Sequence, residues 1–181
     1  MVIGVLKEPA HETRVSMIAE SVAALVKKGI TVFVENGAGD LSFCNHAAYE
    51  AVGAHIKTRQ DVIGGADIIL SIHAPTPAEI DQLSAKVLIG VYQPLMHADA
   101  MKNWAGKNIT SFSLDMLPRT TRAQAMDVLS SQANIAGYKA VLTAANLYSR
   151  YFPMFMTAAG SIKPAGRGDS PVHERYKVDK R

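Results

Sequence analysis

The chain has 181 residues, of which 48% are hydrophobic and 19% are charged, which is enough for one domain with a real core and too little for two of typical size. Its formal net charge is +3, and the last sixteen residues supply +2 of that through five basic and three acidic side chains, so the body of the chain has no basic patch to support nucleic-acid binding. The single cysteine, the lack of signal-peptide regions at the N-terminus and the lack of any run of about 18 apolar residues together predict a cytoplasmic protein with no membrane span of its own.

Short apolar runs rich in β-branched residues alternate with amphipathic segments in the first two thirds of the chain. The runs that predict strands are 2–6, 30–35, 67–72, 86–92 and 108–114. The segments that predict helices are 14–29, 45–54, 77–84 and 97–105. This alternation predicts an α/β fold with a doubly wound parallel sheet, Rossmann-like or flavodoxin-like.

One long helix is predicted from about Thr121 to Arg150, with a stripe made mostly of alanine and with Gly137 in its middle. Because small residues let another backbone come close, we expect this helix to pack tightly against a neighbouring element or another subunit. Pro153 ends it. The last residues, 166–181, are polar and charged and predict a flexible, disordered tail.

The start of this helix carries many hydrogen-bonding side chains. Thr121, followed three residues later by Gln124, has the spacing of a capping box, which explains those two residues without a ligand. Helical spacing places Gln124, Asp127 and Ser131 on one face at i, i+3 and i+7. The cation, amide, carboxylate and hydroxyls near this patch are Arg119, Gln124, Asp127, Ser130 and Ser131. From the residues alone, two interpretations of this patch stay open: a solvated helix end and a ligand site.

Two other patterns are candidates for binding motifs. Gly37 and Gly39 form a lone G-x-G after a predicted strand, and Ser42 stands where a dinucleotide fingerprint has its third glycine, so a tight turn is favoured. The six histidines have no metal-binding spacing, so no metal site is predicted.

The stretch PRTTRAQAMDVLSSQANIAGYKAV, continued by FPMFMTAAGSIKPA, closely resembles the α subunit of proton-translocating NAD(P)+ transhydrogenase, the component that binds NAD(H). GVLKEPAHETRVSM is similar to the N-terminal pattern that transhydrogenases share with alanine dehydrogenases, although Leu6 stands where proline is usual. VFVENGAG and AYEAVGA also fit the family. The resemblance covers about residues 1–165 and stops at the tail.

This resemblance implies a domain organisation and a set of partners. Residues 1–150 would form the family's first domain, 151–165 the start of a linker to a missing Rossmann domain that holds NAD, and 166–181 a tail foreign to the family. The intact protein would be a homodimer, peripheral to the bacterial inner membrane. It would pass hydride from NAD(H) to the NADP(H) site of a partner subunit, coupled to proton movement through membrane-embedded subunits. Without its cofactor domain, the chain is expected to be inactive alone.

The resemblance also assigns residues to a nicotinamide site. The arginine, glutamine, aspartate and serine of the family's loop over the nicotinamide match Arg119, Gln124, Asp127 and Ser130, and Ser131 lies beside them. A carboxamide needs a donor and an acceptor, which Gln124 and Ser130 can supply. Direct hydride transfer needs orientation and exclusion of water, with no proton transfer by a side chain.

Two alternatives stay open. An alanine dehydrogenase-like enzyme would need ionisable groups around its substrate. By the resemblance, its lysine and histidine match Ser71 and Gln93, with His73 nearby, while Arg14 matches a carboxylate-binding arginine that both branches share. The other alternative is a non-catalytic dimerisation or interaction module that docks through the small-residue helix.

Overall fold

The structure, a computed structural model, describes residues 1–118, 120–148 and 152–162. The chain divides into two compact units, Met1–Asp127 and Val128–Arg181. The first contains a six-stranded sheet with its helices, and the second contains a long helix and a β-hairpin.

The first unit alternates strands and helices along the chain. Its strands are β1 (Val2–Val5), β2 (Thr31–Glu35), β3 (His55–Lys57), β4 (Ile68–Leu70), β5 (Val87–Gly90) and β6 (Thr110–Ser113). Its α-helices are α1 (Ala19–Val26), α2 (His46–Ala51), α3 (Arg59–Gly65), α4 (Pro77–Ile80) and α5 (Ala98–Gly106). Shorter 3₁₀ segments lie at Asp40–Ser42, Leu114–Met116 and Thr121–Met126. All strand pairs are parallel, in the order β3-β2-β1-β4-β5-β6.

Strand β1 lies where the sheet changes direction. The chain runs outward from β1 through β2 to β3, crosses back to β4 on the other side of β1, and continues to β5 and β6. In doubly wound sheets, ligands bind in the crevice outside the carboxyl ends of the strands at such a switch point. The predicted α/β fold with a doubly wound, Rossmann-like parallel sheet is therefore confirmed, and its switch point lies between β1 and β4.

Two apolar clusters cover opposite faces of the sheet. Val5, 0% exposed, belongs to the cluster under α1 and α2, and Leu6, 1% exposed, belongs to the cluster under α3 and α5. A Cβ on Gly4 would lie 2.6 Å from Val62 Cγ1, so α3 approaches β1 too closely for a side chain there. This packing holds β1 in the middle of the sheet and its carboxyl end beside that of β4.

Helix α1 begins later than the sequence predicts, at Ala19 instead of residue 14. The preceding segment is held by specific contacts: the Arg14 N–H donates to Glu12 Oε1 at 3.0 Å, and the Ser16 hydroxyl donates to the Leu70 carbonyl at 3.3 Å. The first bond lies within the segment and the second joins it to the end of β4. The segment is therefore held in place without forming a helix.

Elements β3 and α3 are absent from the sequence prediction. β3 has only three residues, too few for a clear alternation pattern. α3 has a recognisable start, because the Thr58 hydroxyl accepts the Asp61 N–H at 3.2 Å.

The predicted long helix is two elements. A 3₁₀ segment spans Thr121–Met126, Asp127 has an extended backbone with ψ 90, and helix α6 then spans Val128–Leu147. Because the backbone leaves the helical conformation at Asp127, the i, i+3, i+7 spacing does not place Gln124, Asp127 and Ser131 on one helical face. That prediction is wrong.

The predicted capping box at the start of this segment is also wrong. Thr120, one residue before the expected cap, occupies the N-cap and makes no side-chain capping bond. Backbone bonds hold the start instead, from the Thr120 N–H to the Pro118 carbonyl at 2.8 Å and from the Ala123 N–H to the Thr120 carbonyl at 3.0 Å. A capping box does form elsewhere, between Thr76 and Glu79 at the start of α4.

The second unit contains α6 and an antiparallel hairpin of β7 (Phe155–Thr157) and β8 (Gly160–Ile162). The hairpin lies just beyond Pro153, in a stretch with no predicted element. No residue of α6 is buried. In the described part of the chain, no helix combines the length and apolarity needed to cross a bilayer. Arg150 and the predicted tail at 166–181 lie outside the described residues.

Candidate functional site

The carboxylate of Glu8 lies at the switch point, between the segments that follow β1 and β4. Its Oε1 accepts the Ile72 N–H at 2.6 Å, and its Oε2 accepts the His73 N–H at 3.0 Å. The same Oε2 lies 3.1 Å from His73 Nδ1. Glu8 is only 7% exposed, so two backbone donors and an imidazole surround a buried carboxylate. This contact joins the segment after β1 to the segment after β4.

Arg14 and Glu12 form an ion pair close to Glu8 and His73. Arg14 Nε donates to Glu12 Oε1 at 2.8 Å, and Nη2 donates to Oε2 at 2.6 Å. The side-chain hydrogen bond from Arg14 lowers the pKa of Glu12 to about 2, against a smaller opposing effect of burial. Since Arg14 already has a bidentate carboxylate partner, a substrate carboxylate would have to displace Glu12 from it.

Ser71 and Gln93, the positions that match the ionisable groups of an alanine dehydrogenase, carry no ionisable side chain. Ser71 is 3% exposed, and its Oγ lies 3.1 Å from the Tyr92 hydroxyl. Burial raises the pKa of Tyr92 to about 12, so this phenol stays protonated at neutral pH. The Gln93 carbonyl accepts the N–H of Met96 and of His97, at 2.9 and 3.1 Å. Ser71, Tyr92 and Gln93 therefore carry no group that exchanges a proton near neutral pH.

A second charged network, not identified from the sequence, surrounds Arg59 at the start of α3. Its Nη1 donates to Glu35 Oε2 at 2.8 Å and to the Lys7 carbonyl at 3.0 Å. Its Nε and Nη2 donate to the Glu79 carboxylate, Nη2 at 3.2 Å. Glu35 Oε2 also accepts the Lys7 N–H at 2.7 Å. The hydrogen bond from Arg59 lowers the pKa of Glu79 to about 2. This network joins the carboxyl ends of β1 and β2 to α3 and α4.

The residues predicted to hold nicotinamide are distributed along the segment that ends the first unit and begins the second. Gln124 is exposed in the 3₁₀ segment, which is anchored by Ala123, 6% exposed. Asp127 is partly buried at the end of the first unit. The exposed serines at 130 and 131 lie in the first turn of α6, in the second unit. Arg119 lies outside the described residues.

The G-x-G sequence after β2 forms a tight turn, as predicted. Gly37 has φ +76, and its N–H donates to His46 Nε2 at 2.8 Å. A Cβ on Gly39 would lie 2.2 Å from the Cys44 carbonyl oxygen. Both glycines are therefore required by the fold of this turn, whose first amide is already bonded to a side chain. Across residues 1–118, 120–148 and 152–162, no three His, Cys, Asp or Glu side chains group to hold a metal ion.

The family model for the N-terminal domain of alanine dehydrogenase/PNT matches residues 4–136. The chain belongs to this family of doubly wound α/β domains. Within it, the chain is 38% identical over 167 residues to NAD(P) transhydrogenase subunit alpha of Haemophilus influenzae, which covers 91% of this chain. It also aligns with the crystal structure of transhydrogenase from Sinorhizobium meliloti at 42% identity with a TM-score of 0.83, covering 91% of this chain.

Similarity to alanine dehydrogenases is weaker. The alanine dehydrogenase of Staphylococcus saprophyticus is 26% identical over 172 residues, covering 93% of this chain and 45% of the relative. The chain spans 32% of the Haemophilus protein and 50% of the solved Sinorhizobium chain. These relatives therefore place the chain nearer to transhydrogenase α subunits, of which it spans about half or less.

Proposed function

We propose that the chain supplies the first domain of the NAD(H)-binding component of a proton-translocating NAD(P)+ transhydrogenase. Residues 1–150 would be that domain, 151–165 the start of the linker and 166–181 the tail. In the assembled enzyme, hydride would pass from NADH on this component to NADP+ on a partner subunit, coupled to proton translocation by membrane-embedded subunits. The observation that carries the proposal is 38% identity to a transhydrogenase α subunit over 91% of the chain.

By the family resemblance, polar side chains around the start of α6 would hold a nicotinamide. Ala123 anchors the 3₁₀ segment while the neighbouring Gln124 amide is exposed, so this side chain can donate to and accept from a carboxamide. The hydroxyls of Ser130 and Ser131 add further donors and acceptors, and Asp127 with Arg119 would fix the angle of ring and ribose. These groups bind and orient, which is what direct hydride transfer requires of the protein.

The two positions that match ionisable residues of an alanine dehydrogenase favour hydride transfer between nucleotides over amino-acid oxidation. Oxidation of a C–N bond needs a group that takes up a proton near neutral pH. Ser71 shares a hydrogen bond with a phenol whose pKa is about 12, and Gln93 cannot ionise. The Glu12 carboxylate, with its pKa of about 2, stays ionised and paired with Arg14.

The partners follow from the same proposal. Helix α6 is 20 residues long and carries large apolar side chains that are exposed: Leu129, Ile135, Tyr138, Val141, Leu142 and Leu147. We propose that this surface contributes to a homodimer, and that the assembled protein lies at the cytoplasmic side of the bacterial inner membrane. A homodimer through α6 without catalysis would be the interaction module, the second candidate function.

Isothermal titration with NADH tests the proposal. The 181-residue chain alone is expected to show no measurable binding, because the described residues contain no G-x-G-x-x-G sequence, and in the G-x-G turn after β2 the Gly37 amide is bonded to His46. Addition of the separately expressed Rossmann half of a transhydrogenase α subunit should restore binding, and Gln124→Ala in this chain should weaken the restored binding. Micromolar NADH affinity of the chain alone would overturn the expectation. A dimer that gains nothing from the Rossmann half would favour the interaction module.

A further inference from the structure

The loop after β4 presents two successive backbone amides toward one point. The N–H groups of Ile72 and His73 and the Nδ1 atom of His73 all lie against the same carboxylate at the switch point. Consecutive backbone donors of this kind form concave sites for anions. The position, at the carboxyl ends of β1 and β4, is the one at which doubly wound sheets bind ligands.

The anion at this point is a side chain of the same domain. The Glu8 side chain is 2% exposed, and both of its oxygens are bonded, Oε1 to one amide and Oε2 to the other amide and the imidazole. Among the described residues, the other charged or titratable groups nearby include the Glu12–Arg14 ion pair, the Tyr92 phenol and His11, whose ring packs on His73. The Glu8 carboxylate therefore occupies the volume and uses the donors that an external anion would need.

We infer that Glu8 is an internal ligand that closes the switch point of the first unit to anionic ligands, and that removal of its carboxylate creates a binding site for a small carboxylate. The inference concerns the first unit alone and does not depend on the proposed transhydrogenase function. The amino end of the same strand pair has a related contact, since Asp67 Oδ2 accepts the Val2 N–H at 2.7 Å.

Chemical rescue by acetate tests the inference. Glu8→Ala removes an acetate-sized fragment, and the loss of an acceptor for two buried amides should lower Tm by roughly 10 °C. Acetate at about 100 mM, compared with chloride at equal ionic strength, should restore at least half of that loss in a saturable way. The matched control is Val5→Ala, a neutral truncation at the end of β1 of a residue that is 0% exposed. Wild type and this control should not respond to acetate.

Amide NMR identifies where acetate acts. In Glu8→Ala, the amide resonances of Ile72 and His73 should shift as acetate is added, and these shifts should saturate at the same acetate concentration as the rise in Tm. Wild-type amides at these positions should not shift. A Glu8→Ala protein that is indifferent to acetate, or a wild type whose two amides respond equally, would overturn the inference.

Glu8→Gln keeps the test decisive if the alanine variant does not fold. Glutamine fills the same volume but has one acceptor oxygen, so one of the two amides loses its partner. Hydrogen exchange at Ile72 or His73 should accelerate by about tenfold or more, with no acetate response because the volume is filled. Exchange as slow as in the wild type at both amides, or an acetate response as large as that expected of the alanine variant, would refute the role of Glu8.

Discussion

Replacing Glu79 with glutamine tests whether the network around Arg59 stabilises the first unit through charge. Glutamine has nearly the same shape and can still accept the Thr76 N–H, which Glu79 accepts at 2.8 Å in the capping box of α4. The substitution therefore removes the ion pair with Arg59 while the cap is kept. We expect a less stable protein at neutral pH.

The magnitude follows from the pKa of Glu79, which falls from 4.5 to about 2. At about 1.36 kcal/mol for each pKa unit, this fall of about 2.5 corresponds to at most about 3–4 kcal/mol. Glu79 is 16% exposed but Arg59 is 34% exposed, so solvent screening reduces the expected loss to about 1–2 kcal/mol. Because the folded-state pKa is depressed, this stability is fully present above pH 4.5 and is lost as the pH falls from there toward 2.

Urea unfolding followed by circular dichroism between pH 7 and pH 3 measures the effect, since urea does not screen ion pairs as guanidinium chloride does. Wild type should exceed Glu79→Gln by a constant free energy of unfolding from pH 7 to pH 5, and the difference should shrink below pH 4.5. Glu50→Gln is the matched control, because Glu50 is exposed on α2, and it should differ from wild type by less than about 0.5 kcal/mol.

Two results would refute this reasoning. If Glu79→Gln unfolds at the same urea concentration as wild type at pH 7, the network contributes no net stability and the cost of desolvation cancels the attraction. If the difference persists unchanged at pH 3, the loss comes from packing or capping geometry instead of charge.

Two further predictions concern the candidate site and the core beneath it. Gln124→Ala in the full enzyme should reduce the rate of hydride transfer about tenfold or more, because the nicotinamide is held less firmly. The Tm should stay unchanged, because this side chain is exposed. A lowered Tm would show a structural role instead. Tyr92→Phe should lower the free energy of unfolding by about 1 kcal/mol, because buried Ser71 loses its partner at 3.1 Å. An unchanged urea midpoint would show that Ser71 finds another hydrogen-bond partner.

The sequence predicts the sheet well because its strands are buried. β2 and β5 are short apolar runs between turn residues, and such runs are typical of parallel strands covered on both faces. The three-residue strand β3 carries too little pattern to be recognised. Its place in the sheet depends on pairing with β2, which is a tertiary contact and leaves no local signal.

The candidate site is less predictable for a related reason. A helical period at Gln124 and Ser131 indicates a continuous helix, whereas the extended backbone of Asp127 interrupts it without any glycine or proline to signal the break. The role of Glu8 escapes prediction because a carboxylate in a loop looks solvated in sequence, and its amide partners lie 64 and 65 residues away. The Arg59 network had one local signal, the Thr76-x-x-Glu79 spacing of a capping box.

The central position of β1 has a consequence for the order of folding. Its partner β4 and the loop that bonds Glu8 emerge from the ribosome some 65 residues later. Until then, the edge of β1 that pairs with β4 in the finished sheet has no partner strand. During this interval β1 can pair only with β2, whose other edge pairs with β3. Because such distant contacts cost loop-closure entropy and slow folding, we expect nascent chains that stop before β4 to recruit chaperones, and chains that extend past His73 to become resistant to protease.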